Sequence, residues 1–224
     1  MRVLSSILLA SALIACNGTA SATFPIGTSV EIDASDLGLP MELMDGMNVA
    51  TVPCGPMGMC PSSAEAPVTC ESDVCDPAPQ TISIPVGDVI DIDELASDID
   101  TVFRNIDTVE ILEINYRIER NTLTFDTEPI EVHWGPAGAT ALDAAMGVRQ
   151  LATVPRFMAG ETGEGGVPLD SAGSAAFTSH FENTSHQFRF FARTTADLEP
   201  GQPWPSGSLR VEVSLRIRVS GSLI

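Results

Sequence analysis

Methionines form the most distinctive group of potential ligands in the sequence. Three are spaced M-x-x-M-x-x-M and two follow as M-x-M, so that five of the eight methionines fall within nineteen residues. Thioether sulfur is a soft ligand that selects Cu(I). A spacing of three residues would place the first three sulfurs on one side of a helix or an open loop, as a trigonal site requires. The five residues are Met41, Met44, Met47, Met57 and Met59.

This spacing resembles the methionine motifs of periplasmic copper-handling proteins, and the resemblance implies a copper(I) site. The other interpretation is that the flexible methionine side chains fill gaps where an irregular segment packs on a sheet. Pro40 and Gly46 argue against a regular helix in this segment. Copper binding is therefore the alternative functional hypothesis, and a partner-binding role is the first.

Four cysteines lie in an irregular region of the chain. Residues 34–79 contain Cys54, Cys60, Cys70 and Cys75 but no sustained helical or strand period. In an exported chain, four cysteines most simply form two disulfides, for which three connectivities are possible. We expect the local pairs Cys54–Cys60 and Cys70–Cys75, which would hold a long loop together. A zinc site with four cysteine ligands is the alternative, although these spacings lack the tight C-x-x-C knuckle.

The fifth cysteine, Cys16, ends an apolar segment, and residues 13–16 read L-I-A-C. This pattern resembles the lipobox of a bacterial lipoprotein signal. The resemblance implies that residues 1–15 are removed and that Cys16 becomes the acylated first residue. A secretory signal that is cut later, after Ala22, is the alternative. The lipobox is favoured because the apolar run leads directly into Cys16, and both interpretations export the protein.

The lipobox interpretation predicts where the protein resides. A single acyl chain binds membranes only marginally, whereas the triacylated cysteine of bacterial lipoproteins anchors stably. Residues 16–25 are small and polar, as in a flexible tether. In enteric-type sorting an Asp after the cysteine retains a lipoprotein in the inner membrane, so Asn17 favours the outer membrane. The expected partners are the membrane, through the acyl chains, and an envelope protein.

The charge distribution argues against nucleic-acid binding. The formal net charge is −19, and the chain contains arginine but no lysine. Residues 17–103 hold fifteen Asp and Glu and no basic residue, while residues 104–224 hold fifteen acidic residues and ten arginines. Such a chain is repelled by phosphate backbones and by anionic lipid headgroups.

Several segments alternate with the two-residue period of half-buried strands. Residues 209–220 form the clearest example, with six apolar residues alternating with polar or charged ones. We expect further strands at 26–33, 80–92, 112–125, 130–134, 148–154 and around 188–190. Pro85 predicts that the strand at 80–92 is an edge strand or bends.

These strands predict a mainly β fold, an antiparallel sandwich formed by residues 26–224 as a single domain. One short helix is expected at 93–105, where apolar residues recur at helical intervals. Residues 80–222 resemble the immunoglobulin-like sandwiches of bacterial surface lipoproteins. That resemblance rests on the strand pattern and implies no functional residues.

No other motif points to a specific chemistry. His180, Glu182 and His186 lack the spacing of a local chelate, the acidic run at 88–100 lacks the calcium-loop pattern, and there is no G-x-S-x-G motif. Trp204, between two prolines, is the aromatic residue expected at the surface. The sequence thus predicts a non-enzymatic envelope protein with a structural, adhesive or partner-binding role; a carbohydrate-binding module would need a larger aromatic platform.

Overall fold

A computed structural model describes residues 13–14, 19–37, 39, 41–61, 67–92, 94, 103–183 and 186–223. The described part contains thirteen strands and one α-helix, together with short 3-10 turns. The strands are β1 (Leu13–Ile14), β2 (Thr19–Asp33), β3 (Met44–Asp45), β4 (Asn48–Val49), β5 (Val68–Glu71), β6 (Val74–Pro77), β7 (Gln80–Asp91), β8 (Phe103–Asn121), β9 (Ile130–Pro136), β10 (Arg149–Val154), β11 (Glu164–Val167), β12 (Gln187–Ala196) and β13 (Ser208–Leu223), and the helix is α1 (Ser171–Asn183).

Two antiparallel sheets make up the body of the protein. The first has the strand order β1-β2-β13-β8-β11, and the second has the order β10-β9-β12-β7. The inward side chains of both sheets belong to one hydrophobic core. This architecture confirms the expected mainly β sandwich. No helix in the described ranges has the length and hydropathy that crossing a membrane would require.

Strand β13 is the central strand of the first sheet. It pairs with β2 from Ser208 to Ser222 and with β8 from Leu209 to Leu223. Its six alternating apolar side chains are all buried, which confirms the alternation seen in the sequence: Leu209, Val211, Val213, Leu215, Ile217 and Val219.

The second sheet confirms two further sequence predictions. Strand β7 is an edge strand, as Pro85 indicated, because a proline cannot donate to a second neighbour. In β9 the side chains of Ile130, Val132 and Trp134 are buried in the core, as the alternation predicts.

The flexible tether expected at 16–25 is wrong for residues 19–25. Thr19–Pro25 form the first half of β2 and pair with the end of β13. The small polar composition suggested a linker, but backbone pairing with a long central strand requires no apolar pattern in the partner. Cys16 itself lies outside the described residues.

The helix expected at 93–105 is described only in part. Glu94 is helical, most of the other residues lie outside the described part of the chain, and residues 103–105 belong to β8. The described helix, α1, was missed. Asp170 caps it by accepting a hydrogen bond from the Gly173 amide at 2.7 Å. Phe177 and Phe181, one turn apart, place their rings in the core.

Gly173 is the point of closest approach between α1 and the second sheet. A Cβ at this position would clash with the carbonyl oxygen of Gln150. The carbonyl of Gly173 accepts a hydrogen bond from the indole nitrogen of Trp134 at 3.0 Å. The helix therefore docks through its backbone, which only glycine permits here.

We expect Gly173→Ala to destabilise the fold by about 2 kcal/mol or more. The free-energy cost of forcing a methyl group into the helix–sheet contact exceeds the free energy gained from the higher helix propensity of alanine. Gly163→Ala is the matched control, since nothing lies within 4 Å of a Cβ there. Urea denaturation followed by circular dichroism measures both. Equal stability of the two variants would show that α1 does not pack closely on the sheet.

Candidate functional site

The methionine-rich segment follows β2 at one end of the sandwich. It begins with the 3-10 turn Ala34–Leu37 and continues through a second turn, Met41–Leu43, into the β3–β4 ribbon. Leu37, Leu43 and Val49 are buried and fix the segment to the fold. Its described methionines point the other way, so they do not fill gaps in the core.

Backbone hydrogen bonds join this segment to the turn that precedes β13. The Val49 amide donates to the Gln202 carbonyl at 2.7 Å, and the Trp204 amide donates to the Met47 carbonyl at 2.7 Å. In return, the Gly201 amide donates to the Val49 carbonyl at 2.8 Å. The two segments are therefore held in one fixed arrangement.

Together they present a surface that we call the Met–Trp surface. It consists of Leu39, Met41, Met44, Met47 and Trp204. The exposed fractions of Met41 and Met47 are 66% and 82%. A groove in this surface is lined by Leu39, Met41, Trp204 and the buried Pro205, among other residues. Trp204 is half-buried in the groove wall rather than fully exposed.

One carboxylate, that of Asp33, lines the groove. Asp33 accepts hydrogen bonds from the amide of Ser35 at 2.9 Å and from its hydroxyl at 2.7 Å. These two bonds lower the pKa of Asp33, so its carboxylate stays ionised at neutral pH. Further exposed acidic residues lie on the two segments that form the surface: Asp36, Glu42, Asp45 and Glu199.

The spacing of the methionines would place them on one side of a helix or an open loop, and the structure shows no α-helix in the described part of this segment. Met41 begins a turn that ends at Leu43, Met44 lies in β3, and Met47 lies in the turn after it. Met59 is exposed beside the disulfide-bonded region, and the side chain of Met57 is not among those described. Copper binding by these residues remains a prediction.

The four cysteines form two disulfides, but the local pairing expected from the sequence is wrong. The pairs are Cys54–Cys70 and Cys60–Cys75, which interleave. The segment before Cys60 folds over the β5–β6 hairpin, where the Cys54 amide donates to the Asp73 carbonyl at 3.0 Å. Each of its cysteines therefore meets one cysteine of the hairpin.

The disulfides also bear on the zinc alternative. The sulfurs of Cys54, Cys60 and Cys75 lie within 4.8 Å of one another. Zinc binds thiolates, whereas each of these three sulfurs belongs to a disulfide, Cys54 with Cys70 and Cys60 with Cys75. The cluster therefore stabilises the loop region, as a disulfide framework does.

The histidines are not brought together. His180 lies against Trp134 and hydrogen-bonds the Gln187 carbonyl at 3.2 Å, while His186 stacks on Phe181. On the second sheet, buried His133 contacts Glu131 at 3.0 Å, and Arg193 donates to the same carboxylate at 2.8 Å. Of these contacts, only the Arg193–Glu131 contact joins neighbouring strands, and among the described residues the histidines form no shared ligand set.

The outer face of the first sheet carries a ladder of ion pairs. Arginines and glutamates alternate across β2, β13 and β8, at separations from 2.6 to 3.3 Å. Each exposed pair contributes little stability by itself. The five arginines of the ladder all lie on β8 and β13. The pairs are Arg117–Glu212, Arg120–Glu31, Arg210–Glu119, Arg216–Glu113 and Arg218–Glu110.

Comparisons with known proteins give no functional assignment. No family model and no curated protein matches the chain. A solved structure titled "Desmodium yellow mottle tymovirus" is similar at 13% identity and a TM-score of 0.29, covering 76% of this chain and 96% of that one. A likeness at this TM-score supports no conclusion about this chain.

Glu131, on β9 of the second sheet, makes a pH-dependent contact. Partial burial raises its pKa, but hydrogen bonds from His133 and Arg193 outweigh burial and hold the pKa below the ordinary value of 4.5. The stabilisation is therefore complete above pH 4.5 and is lost as the pH falls through the lowered pKa.

We expect Glu131→Gln to reduce the fall in unfolding free energy between neutral and acidic pH, because the mutant has no carboxylate to protonate. Glu128→Gln, an exposed position nearby, is the control. Urea titrations at several pH values measure the effect. Parallel pH profiles of wild type and Glu131→Gln would contradict the assignment.

Proposed function

We propose that the protein is a non-enzymatic, lipid-anchored envelope protein that binds a partner through the Met–Trp surface. The observation that carries the proposal is the exposure of large apolar side chains on an ordered backbone. Exposed apolar patches rimmed by polar residues mark interaction sites. Methionine suits such a surface because its flexible, polarisable side chain adapts to a partner.

Backbone order distinguishes this surface from an irregular loop. Hydrogen bonds from Val49, Gly201 and Trp204 tie its two segments together, and the disulfides hold the chain that follows. A preorganised surface loses less conformational entropy when it binds. The arrangement therefore supports recognition of a partner by a defined surface.

An anchor at Cys16 would give the surface a favourable position. Thr19, three residues later, begins β2, and Asp33 ends it next to the groove. Fifteen residues of strand span about 45 Å. The acyl chains and the Met–Trp surface would then lie at opposite ends of β2, with the surface directed away from the membrane.

The polar groups of the groove also support a binding role. Asp33 and Ser35 line the groove, yet they hydrogen-bond to each other within a turn. These hydrogen bonds close a turn and shape the backbone of the groove wall.

Copper binding is the second candidate, favoured by the exposure of four methionine thioethers. The residues are Met41, Met44, Met47 and Met59. Competition for Cu(I) against a chelating dye distinguishes the two functions. Tight binding that Met41→Leu and Met47→Leu both abolish would favour copper over a protein partner.

The anchor is tested by the intact mass of the protein extracted from its native membrane. We expect a species that begins at Cys16 and carries acyl chains, because the lipobox directs both cleavage and acylation. The Cys16→Ser variant should lose the acyl mass and leave the membrane fraction. A species that begins at Thr23 in the wild type would show an ordinary secretory signal instead.

The surface is tested by photo-cross-linking in intact cells. We expect a photo-reactive phenylalanine analogue at position 47 to form a discrete cross-linked product, because Met47 is exposed on the surface. Position 158 is the control, since Met158 is also exposed, at 58%, but is not part of the surface. The same products from both positions, or none from position 47, would contradict the proposal.

A further inference from the structure

We infer that the Met–Trp surface binds a polypeptide segment that combines apolar with cationic side chains. The inference rests on the proposed function and specifies the chemistry of the partner. Its apolar requirement comes from the exposed side chains of Met41 and Met47 and from Trp204, of which Met41 and Trp204 line the groove.

The cationic requirement comes from Asp33, which lines the groove, and from the exposed carboxylates on the two segments that form the surface. Asp33, Asp36 and Glu42 lie on one segment and Glu199 lies on the other. Neither segment, 33–49 or 197–207, contains a basic residue. Within the described ranges, none of these carboxylates forms an ion pair.

The arginines at this end of the sheet already have partners. Arg120 contacts Glu31 at 2.6 Å, and Arg210 contacts Glu119 at 2.8 Å. Neither is available to neutralise the border of the groove without breaking an existing pair. The protein thus presents apolar side chains next to negative charge that its own cations do not balance.

These features select among classes of partner. A wholly apolar partner would cover carboxylates without pairing them, which costs free energy. An anionic partner, such as a nucleic acid or an acidic lipid surface, would be repelled. A segment with lysine or arginine beside apolar residues pairs with the carboxylates and covers the thioethers and the indole.

The experiment uses three synthetic octapeptides and the folded full-length protein. The first alternates lysine with leucine, the second replaces each lysine by glutamate, and the third replaces each leucine by serine. We expect the first peptide to bind at least about tenfold more tightly than either of the others in calorimetry. Raising the ionic strength should weaken its binding.

Tryptophan fluorescence locates the peptide. The chain has two tryptophans, of which Trp134 is 3% exposed and Trp204 lies in the groove wall. The first peptide should change the emission of the wild type but not that of Trp204→Phe. Denaturation of Trp204→Phe checks that the variant remains folded.

Matched variants separate the two requirements. Met47→Ser should weaken binding about tenfold, whereas Met158→Ser should not. Glu42→Gln combined with Asp45→Asn should weaken binding and reduce its salt dependence, whereas Glu182→Gln, on the exposed side of α1, should not.

The outcomes distinguish this inference from the proposed function. Equal affinity for the three peptides, or binding unaffected by the Met47 and carboxylate variants, overturns the inference. Cross-linking at position 47 without binding of the first peptide also overturns it while leaving the proposed function in place. Absence of both cross-linking and peptide binding overturns both.

Discussion

The pairing of β13 with two neighbours at once is the interaction on which the rest of the structure depends. Its backbone donors and acceptors are used on both sides, by β2 and by β8, along nearly the whole strand. This pairing fixes the register, and the two-residue period then directs six apolar side chains into the core and the arginines outward. The ion-pair ladder on the outer face follows from the same register.

The Met–Trp surface depends on where β13 begins. Ser208 pairs with Asp33 at the end of β2, and the Ala34 amide donates to the Gly207 carbonyl at 3.0 Å. Gly207 has a φ of +87°, and a Cβ there would clash with the Thr122 carbonyl. A backbone junction that requires glycine therefore positions the groove.

Because backbone hydrogen bonds hold the two segments in place, their exposed side chains are available to contact a partner. In the segment after β2, the side chains of Leu43 and Val49 are buried and attach the segment to the fold. The methionines and acidic residues of the same segment face outward. This separation of stabilising from exposed apolar residues is what makes a partner-binding role the simplest account of the surface.

The sequence predicted the elements that carry a clear local signal. Strand β13 has one buried face, and β7 carries a proline that only an edge strand accommodates, so both were predictable. Helix α1 was missed because its small residues hide the apolar period, although Asp170 and the Phe177–Phe181 pair were available signals. The disulfide pairing depends on how the segment before Cys60 crosses the β5–β6 hairpin, which is a tertiary arrangement with no local signature.

The candidate site was predictable only in part. Met41, Met44, Met47 and Trp204 were each singled out by type and spacing. Their meeting on one surface depends on hydrogen bonds between segments about 155 residues apart, such as the one from the Trp204 amide to the Met47 carbonyl. No local pattern encodes a contact over that separation.

The central claim is that the Met–Trp surface is a preorganised part of the fold, and native-state amide hydrogen exchange tests it most directly. The amides of Val49, Gly201 and Trp204 donate across the two segments. The account predicts that these three amides exchange at least about a hundredfold more slowly than in an unfolded peptide. Exchange at the unfolded-peptide rate would mean that the segments do not form a fixed surface, and would contradict the account.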